Sequence, residues 1–223
     1  MDIGVIPDGN RRYARAQEIE KYEAYEQARD TIKNVTESLE GFSDDLESIT
    51  FYLLSEENLK RKEGDLKTLF QLLKENVKNL SKFFEGKNFS VNWLTTNPDP
   101  LPAELVKKLK SLEKEFTDGD IDVNLLISYS GKEDILEASE ELAQNGGKFT
   151  EENLQSHLQI NNDIDFVIRT GDNPDRECLS GFPIWNSSYA EFYHIKKNFP
   201  AVKSEDVKQA LDHYQSLRRK KGK

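Results

Sequence analysis

Short runs of β-branched and aromatic residues alternate along this chain with longer charged stretches in which apolar residues return every three or four positions. Strands buried on both faces read as continuous apolar runs and the helices covering them as amphipathic ones, so the pattern specifies a parallel α/β sheet. The candidate strands are "IGVIP" (3–7), "ITFYLL" (49–54), "FSVNWLT" (89–95), "IDVNLLISY" (121–129), "DFVIRT" (165–170) and "AEFYHI" (190–195). Between them, one helical face carries Tyr25, Ala28, Ile32, Val35 and Leu39, and another carries Leu66, Leu69, Phe70, Leu73 and Val77. A further helix is expected over 102–116, after the turn-forming "NPDPLP", and a last one from 204 into the basic end. The expected fold is a single α/β domain, residues 1–223, with a central, mostly parallel six-stranded sheet flanked by helices.

The chain has 223 residues, enough for one sizeable core. Its 31 basic and 41 acidic residues leave a net charge of −10, which argues against nonspecific attraction to nucleic acid or anionic lipid. Any anionic partner must be sought at local basic sites. A single cysteine, Cys178, excludes an intramolecular disulfide framework and a cysteine-rich zinc site, and fits a reducing cytoplasm. The sequence holds no apolar stretch near the roughly 20 residues that cross a bilayer and nothing resembling a signal peptide. An amphiphilic substrate held in a cleft, with peripheral membrane contact at product release, remains compatible with that. The closing "RRKKGK", 218–223, reads as a solvated or disordered basic tail, with phosphate binding as the alternative.

The loop after the first strand is "PDGNRR". It falls at the carboxyl edge of the sheet, where open α/β folds place ligands. Gly9 lets backbone approach a ligand, the N–H groups of an opening helix attract anions, and Arg11 or Arg12 adds charge-assisted contacts to phosphate oxygens. Asp8 repels a phosphate unless a divalent cation lies between them or the acid handles a proton. The plainer alternative is that Asp8 or Asn10 caps a helix and the arginines are solvated.

A second anchor runs from 165 to 195. Arg169 ends a strand, and the Gly, Asn and Pro-rich loop after it carries Arg176 and Ser180, so two guanidiniums and a hydroxyl can converge on a second polyanion. Glu191 has three readings: a metal ligand, an arginine partner, or a solvated acid.

Together, "PDGNRRYA", "SEENLKR" and "IRTG…RECLSGFPIWNSSYAEFY" closely resemble the cis-prenyltransferases, the family of undecaprenyl diphosphate synthase, in order and spacing over nearly the whole chain. The resemblance implies a homodimer of α/β domains that uses Mg2+ to extend an allylic prenyl diphosphate with isopentenyl diphosphate. It implies that Asp8 binds the metal and assists loss of diphosphate or of a proton. Gly9, Asn10, Arg11, Arg12, Lys21, Tyr25 and Arg61 would hold the allylic diphosphate, while Ser55 and Asn58 orient substrate and catalytic groups. Arg169, Arg176 and Ser180 would bind the acceptor diphosphate, and Glu191 would support the metal across the dimer interface. Leu53, Leu54, Leu69, Phe70 and Leu73 become candidates for an apolar tunnel, ordinary core packing being the alternative for each.

The chain also departs from the family pattern. Arg11 replaces a usual glycine; Tyr25 and Ala28 replace a histidine and a glycine; Lys21 replaces an arginine. Pro7, Leu59 and Lys62 stand where methionine, tryptophan and proline are common. Three residues separate Arg176 from Ser180 where the family has one, and Gly222 alone is left of the usual aromatic and glycines near the carboxyl end. These changes lie on the acceptor side and at the entry segment. They fit an ordinary elongating enzyme, an enzyme that uses dimethylallyl diphosphate as acceptor in an irregular linkage, or a noncatalytic prenyl-binding subunit; Leu53, at a position where the family often has a small tunnel residue, implies a short or medium product.

Overall fold

The structure, a computed structural model, describes residues 1–42, 45–60, 63–173 and 177–221. Arg61, Arg176 and Gly222 therefore lie outside the described residues. In chain order the elements are β1 (Asp2–Ile6), α1 (Asn10–Ala16), α2 (Lys21–Glu40), β2 (Ser48–Ser55), α3 (Glu56–Leu59), α4 (Glu63–Phe84), β3 (Phe89–Leu94) and α5 (Ala103–Glu115). There follow β4 (Ile121–Tyr129), α6 (Gly131–Gln144), α7 (Glu151–Gln155), β5 (Phe166–Thr170), β6 (Glu191–Ile195), a 3-10 turn at Phe199–Ala201, and α8 (Ser204–Lys221). α8 takes in residues that the sequence reading sets apart as a tail.

The six strands form one sheet in the order β3-β4-β2-β1-β5-β6, every neighbouring pair parallel. Side chains alternate across it. Ile3, Val5, Ile49, Phe51, Val123, Leu125 and Phe166 meet the apolar faces of α2, α4, α5 and α8 on one side. Ile6, Tyr52, Leu126, Tyr129 and Val167 meet Ile160, Ile164 and Phe182 on the other. The chain passes from β1 to β2 in one direction and places β5 on the opposite flank of β1, so β1 sits where the winding reverses. Its carboxyl end opens onto the crevice where such sheets take ligands.

β5 and β6 are parallel neighbours whose connection, 171–190, contains no helix among the described residues. Gly171, Gly181 and Pro183 interrupt helical propagation there. The connection crosses the second face of the sheet and buries Phe182 completely. On that face Asp134 is buried, accepting the Tyr129 hydroxyl at 2.6 Å and the Gln159 N–H at 3.2 Å. Burial outweighs these hydrogen bonds and raises its carboxyl above the ordinary 3.8. A carboxyl whose folded value is raised adds stability below its unfolded value, and that contribution is lost as pH rises through the folded value. Relative to Asp134→Asn, which does not titrate, the wild type should therefore lose stability as pH rises from the ordinary carboxylate value of 3.8 toward neutrality. Denaturant unfolding of both proteins across this range checks it, and a pH-independent difference would count against it.

Candidate active site

The backbone around Asp8 is pinned from two sides. Its N–H donates to Thr170 Oγ1 at 2.9 Å, and its carbonyl accepts the Phe199 N–H at 2.9 Å and the Thr170 hydroxyl at 3.1 Å. Next comes Gly9, at φ 101°, which turns the chain into α1. A side chain there is disfavoured by that φ, and a Cβ would lie 2.0 Å from Asn198 Oδ1. β1 and β5 run in register, with Ile6 opposite Arg169, so the acid after one strand meets the guanidinium at the end of its neighbour.

Arg169 Nη2 donates to Asp8 Oδ2 at 2.7 Å, while Nη1 donates to the Cys178 carbonyl at 2.6 Å and to Ser180 Oγ at 2.8 Å. At 2% exposure its charge is tolerable because it is paired and hydrogen-bonded. Arg169 therefore holds both the acid and the Ser180 turn while itself lining the cleft to which sequence reading assigns a second polyanion. Ser180 has φ 54°, an uncommon conformation for a residue with a Cβ, and the Tyr52 hydroxyl also donates to its carbonyl at 3.3 Å. Asp8 Oδ1 accepts the Gly9 N–H at 2.6 Å and lies 3.5 Å from Arg12 Nη2. The first amide of the turn is thus already engaged, and α1 has only seven residues, so arginines rather than helix N–H groups carry the positive charge here.

These groups line a cleft of about 410 Å³ at the carboxyl edge of β1, β2 and β5. Its wall includes Asp8, Gly9, Asn10, Arg11, Arg12, Tyr25, Leu53, Leu54, Ser55, Asn58, Leu69, Arg169 and Ser180, all singled out from sequence. Ser55 caps α3 by accepting the Asn58 N–H at 3.3 Å, and the Asn58 amide donates to the same hydroxyl at 2.8 Å. The two polar residues are therefore set by one local motif. Arg15, Glu57 and Tyr52 also line the cleft, unanticipated from sequence. Arg15 follows Arg11 by four positions on α1, a helical spacing that offered a signal.

Beneath the cleft, between α2, α4 and the sheet, lies an apolar cavity of about 50 Å³. Pro7, Asn10, Tyr25, Leu53 and Leu69 line both spaces, and Leu73, Val77, Leu80 and Ile127 continue the second. Phe70 is different. It packs against the core from α4 and lines neither space, because neighbouring helical positions point about 100° apart. Lys21 is exposed at the start of α2 and is not part of the cleft lining. Glu191 pairs with Phe166 at the amino end of β6, whereas His194 is at the level of Arg169, so within one chain Glu191 stands away from Asp8.

Two further polar residues reach this centre. Asp172 accepts Arg12 Nε–H at 2.6 Å on one oxygen and the Asn198 amide at 2.7 Å on the other. Burial alone would raise this carboxyl, but the Asn198 and Arg12 hydrogen bonds and the Arg12 charge prevail and hold it below the usual carboxylate value. No group of three or more His, Cys, Asp or Glu suited to a metal occurs among the described residues, and no described helix is long and apolar enough to cross a membrane.

The undecaprenyl diphosphate synthase family model matches residues 6–222. An isoprenyl transferase of Campylobacter jejuni (strain RM1221) is 28% identical over 99% of this chain and 97% of its own length. Isoprenyl transferase 1 of Corynebacterium efficiens is 32% identical over 99% of this chain and 89% of its own length. Among solved structures, lavandulyl diphosphate synthase from Lavandula x intermedia, in complex with dimethylallyl diphosphate, superposes with a TM-score of 0.84 at 21% identity, covering 96% of this chain and 94% of that one. With the fold and the match along nearly the whole chain in agreement, this protein belongs to the undecaprenyl diphosphate synthase family and is a prenyltransferase of the cis-prenyltransferase class.

Proposed function

We propose that this chain condenses an allylic prenyl diphosphate with isopentenyl diphosphate, using Mg2+. The observation that carries the reading is the junction at Asp8 of a cationic cleft and an apolar cavity sharing Pro7, Asn10, Tyr25, Leu53 and Leu69. A prenyl diphosphate has the same two parts, a polyanionic head and a hydrocarbon tail.

Arg11, Arg12 and Arg15 receive the allylic head from α1, and its tail enters the cavity between α2 and α4. The acceptor head approaches from the Arg169 and Ser180 side, which lies on the opposite face of the sheet. The two reacting carbons then meet over Asp8. The allylic C–O bond breaks as diphosphate leaves, the acceptor alkene supplies the electron pair of the new C–C bond, and a proton leaves to complete the new double bond. Asp8 is the carboxylate at that junction and is placed to accept the proton or direct its loss.

Mg2+ fits the donor set, since it takes hard oxygens, one or two carboxylates and substrate phosphates. Asp8 supplies such a carboxylate, and the buried Asn10 Oδ1 has no hydrogen-bond partner. When bound, the ion supplies charge stabilisation to the departing diphosphate. The working unit on this reading is a homodimer. β6 is an edge strand, with Glu191, Tyr193 and His194 half-buried and Tyr189 exposed beside it. An open ladder of this kind is usually covered.

A second reading, with dimethylallyl diphosphate as acceptor, is favoured by the long segment between Arg169 and Ser180 and by the complex of the structurally similar lavandulyl diphosphate synthase. Mass analysis of products decides. Protein with Mg2+ and allylic diphosphates of several lengths receives either isopentenyl or dimethylallyl diphosphate. A ladder spaced by one isoprene unit with isopentenyl diphosphate is expected, a single adduct with dimethylallyl diphosphate alone selects the second reading, and no product with either sinks both. The same assay tests the tunnel: Leu53→Ala, removing three side-chain carbons of wall between cleft and cavity, should lengthen the main product by at least one unit. An unchanged product would place the tail elsewhere.

A further inference from the structure

We infer that Asp172 and Asn198 form a positioning device for Arg12, setting the guanidinium that receives the allylic diphosphate. This inference rests on the reading of the cleft given above. Arg12 leaves α1 with a flexible side chain, and a long side chain binds an anion less tightly when it must first be ordered. Here the ordering is done by the protein. Asp172 takes the Nε–H at 2.6 Å, and its second oxygen is fixed by the Asn198 amide at 2.7 Å. Gly171, at φ 137°, lets the backbone lie against the guanidinium, since a Cβ there would be 3.0 Å from Arg12 Nη2.

What this arrangement leaves over points to a ligand. Arg12 Nη2 is buried without a hydrogen bond, 3.5 Å from Asp8 Oδ1. A buried donor in that condition is costly unless something arrives to accept from it. Asp172 therefore engages the edge of the guanidinium remote from the reacting centre and keeps a terminal nitrogen for a diphosphate oxygen beside Asp8. Asn198 is wedged at the same place, its Oδ1 buried and unpartnered and so close to Gly9 that no side chain fits there. Neither residue carries a signal in sequence beyond that of a polar turn.

The alternative physical account is competition, in which Asp172 neutralises Arg12 and is displaced by the ligand. The two accounts give opposite signs. Binding of inorganic pyrophosphate with Mg2+ by calorimetry, and KM for each substrate, should be measured for the wild type, Asp172→Ala and Asp172→Asn. The asparagine variant keeps an acceptor for Arg12 Nε–H, and its amide can donate to Asn198 Oδ1 once that amide turns over, so the geometry survives without the charge. Positioning predicts that Asp172→Ala weakens pyrophosphate about tenfold and raises the allylic KM similarly, a loss typical of one charge-assisted contact. The acceptor KM should stay unchanged, and Asp172→Asn should restore most of the binding. Tighter pyrophosphate in Asp172→Ala, equal binding in all three proteins, or equal losses for both substrates would overturn the inference while leaving the cleft's assignment intact. Failure of the wild type to bind pyrophosphate at all would remove that assignment, and this inference with it.

Discussion

Asp8→Asn should leave a folded protein whose turnover falls by about 10²–10⁴, the range in which a positioned acid or base contributes. The backbone at this position is fixed by Thr170 and Phe199, through bonds the substitution does not touch, so the change is confined to the carboxylate. Asparagine keeps one acceptor but puts an amide NH2 against one of two donors, the Gly9 N–H or Arg169 Nη2, each of which now finds its own oxygen. Arg169 is 2% exposed, and weakening its only ion pair among the described residues should also cost about 1–3 kcal/mol of stability. Alanine would confuse the two effects. It removes the partner outright and leaves the guanidinium buried and uncompensated, a change in the range of about 3–5 kcal/mol. Product formation under saturating substrates, with a denaturant midpoint for the same preparation, separates chemistry from folding. Turnover within threefold of wild type would remove Asp8 from the reaction.

Much of the fold was legible because its strands are parallel and covered. "VNLLISY" and "DFVIRT" are β-branched or apolar nearly throughout, and the structure bounds all six strands within about one residue of the expected limits. α6 was not legible. Its acidic sequence buries Ala138 and Leu142 but leaves Leu136 exposed, so its apolar stripe is too thin to stand out. In the cleft, residue types could be read but not their pairing. Asp8 and Arg169 are 161 positions apart, and only the β1 and β5 register makes them partners. That register also turns Arg169 inward, a fact no local pattern encodes. Asp172 and Asn198 acquire their meaning solely from where two separate turns meet.

The same inward placement makes Arg169→Met the complementary test. Methionine suits a narrow buried slot and leaves no charge behind. The carboxylate released by this change is 26% exposed and faces the cleft, so water can hydrate it, unlike the guanidinium stranded by Asp8→Ala. Stability should therefore fall by only about 1–3 kcal/mol, as for the loss of ordinary hydrogen bonds. Function should suffer more. Ser180 holds φ 54° while Arg169 Nη1 bonds both its hydroxyl and the Cys178 carbonyl, and once the arginine is gone its own atoms are left with weaker contacts, the Tyr52 hydroxyl on its carbonyl and the Cys178 thiol on its hydroxyl, each at 3.3 Å. Strained conformations of this kind persist only while their surroundings over-determine them. The acceptor KM should accordingly rise by about 10–100-fold, the equivalent of one or two charge-assisted contacts, with the allylic KM changing far less. In a double-mutant cycle with Asp8→Asn, the stability losses should be less than additive, because both changes remove one shared ion pair. Strict additivity, or an allylic KM that rises as far as the acceptor KM, would show that Arg169 does not divide the site as its bonds to Asp8 and Ser180 imply.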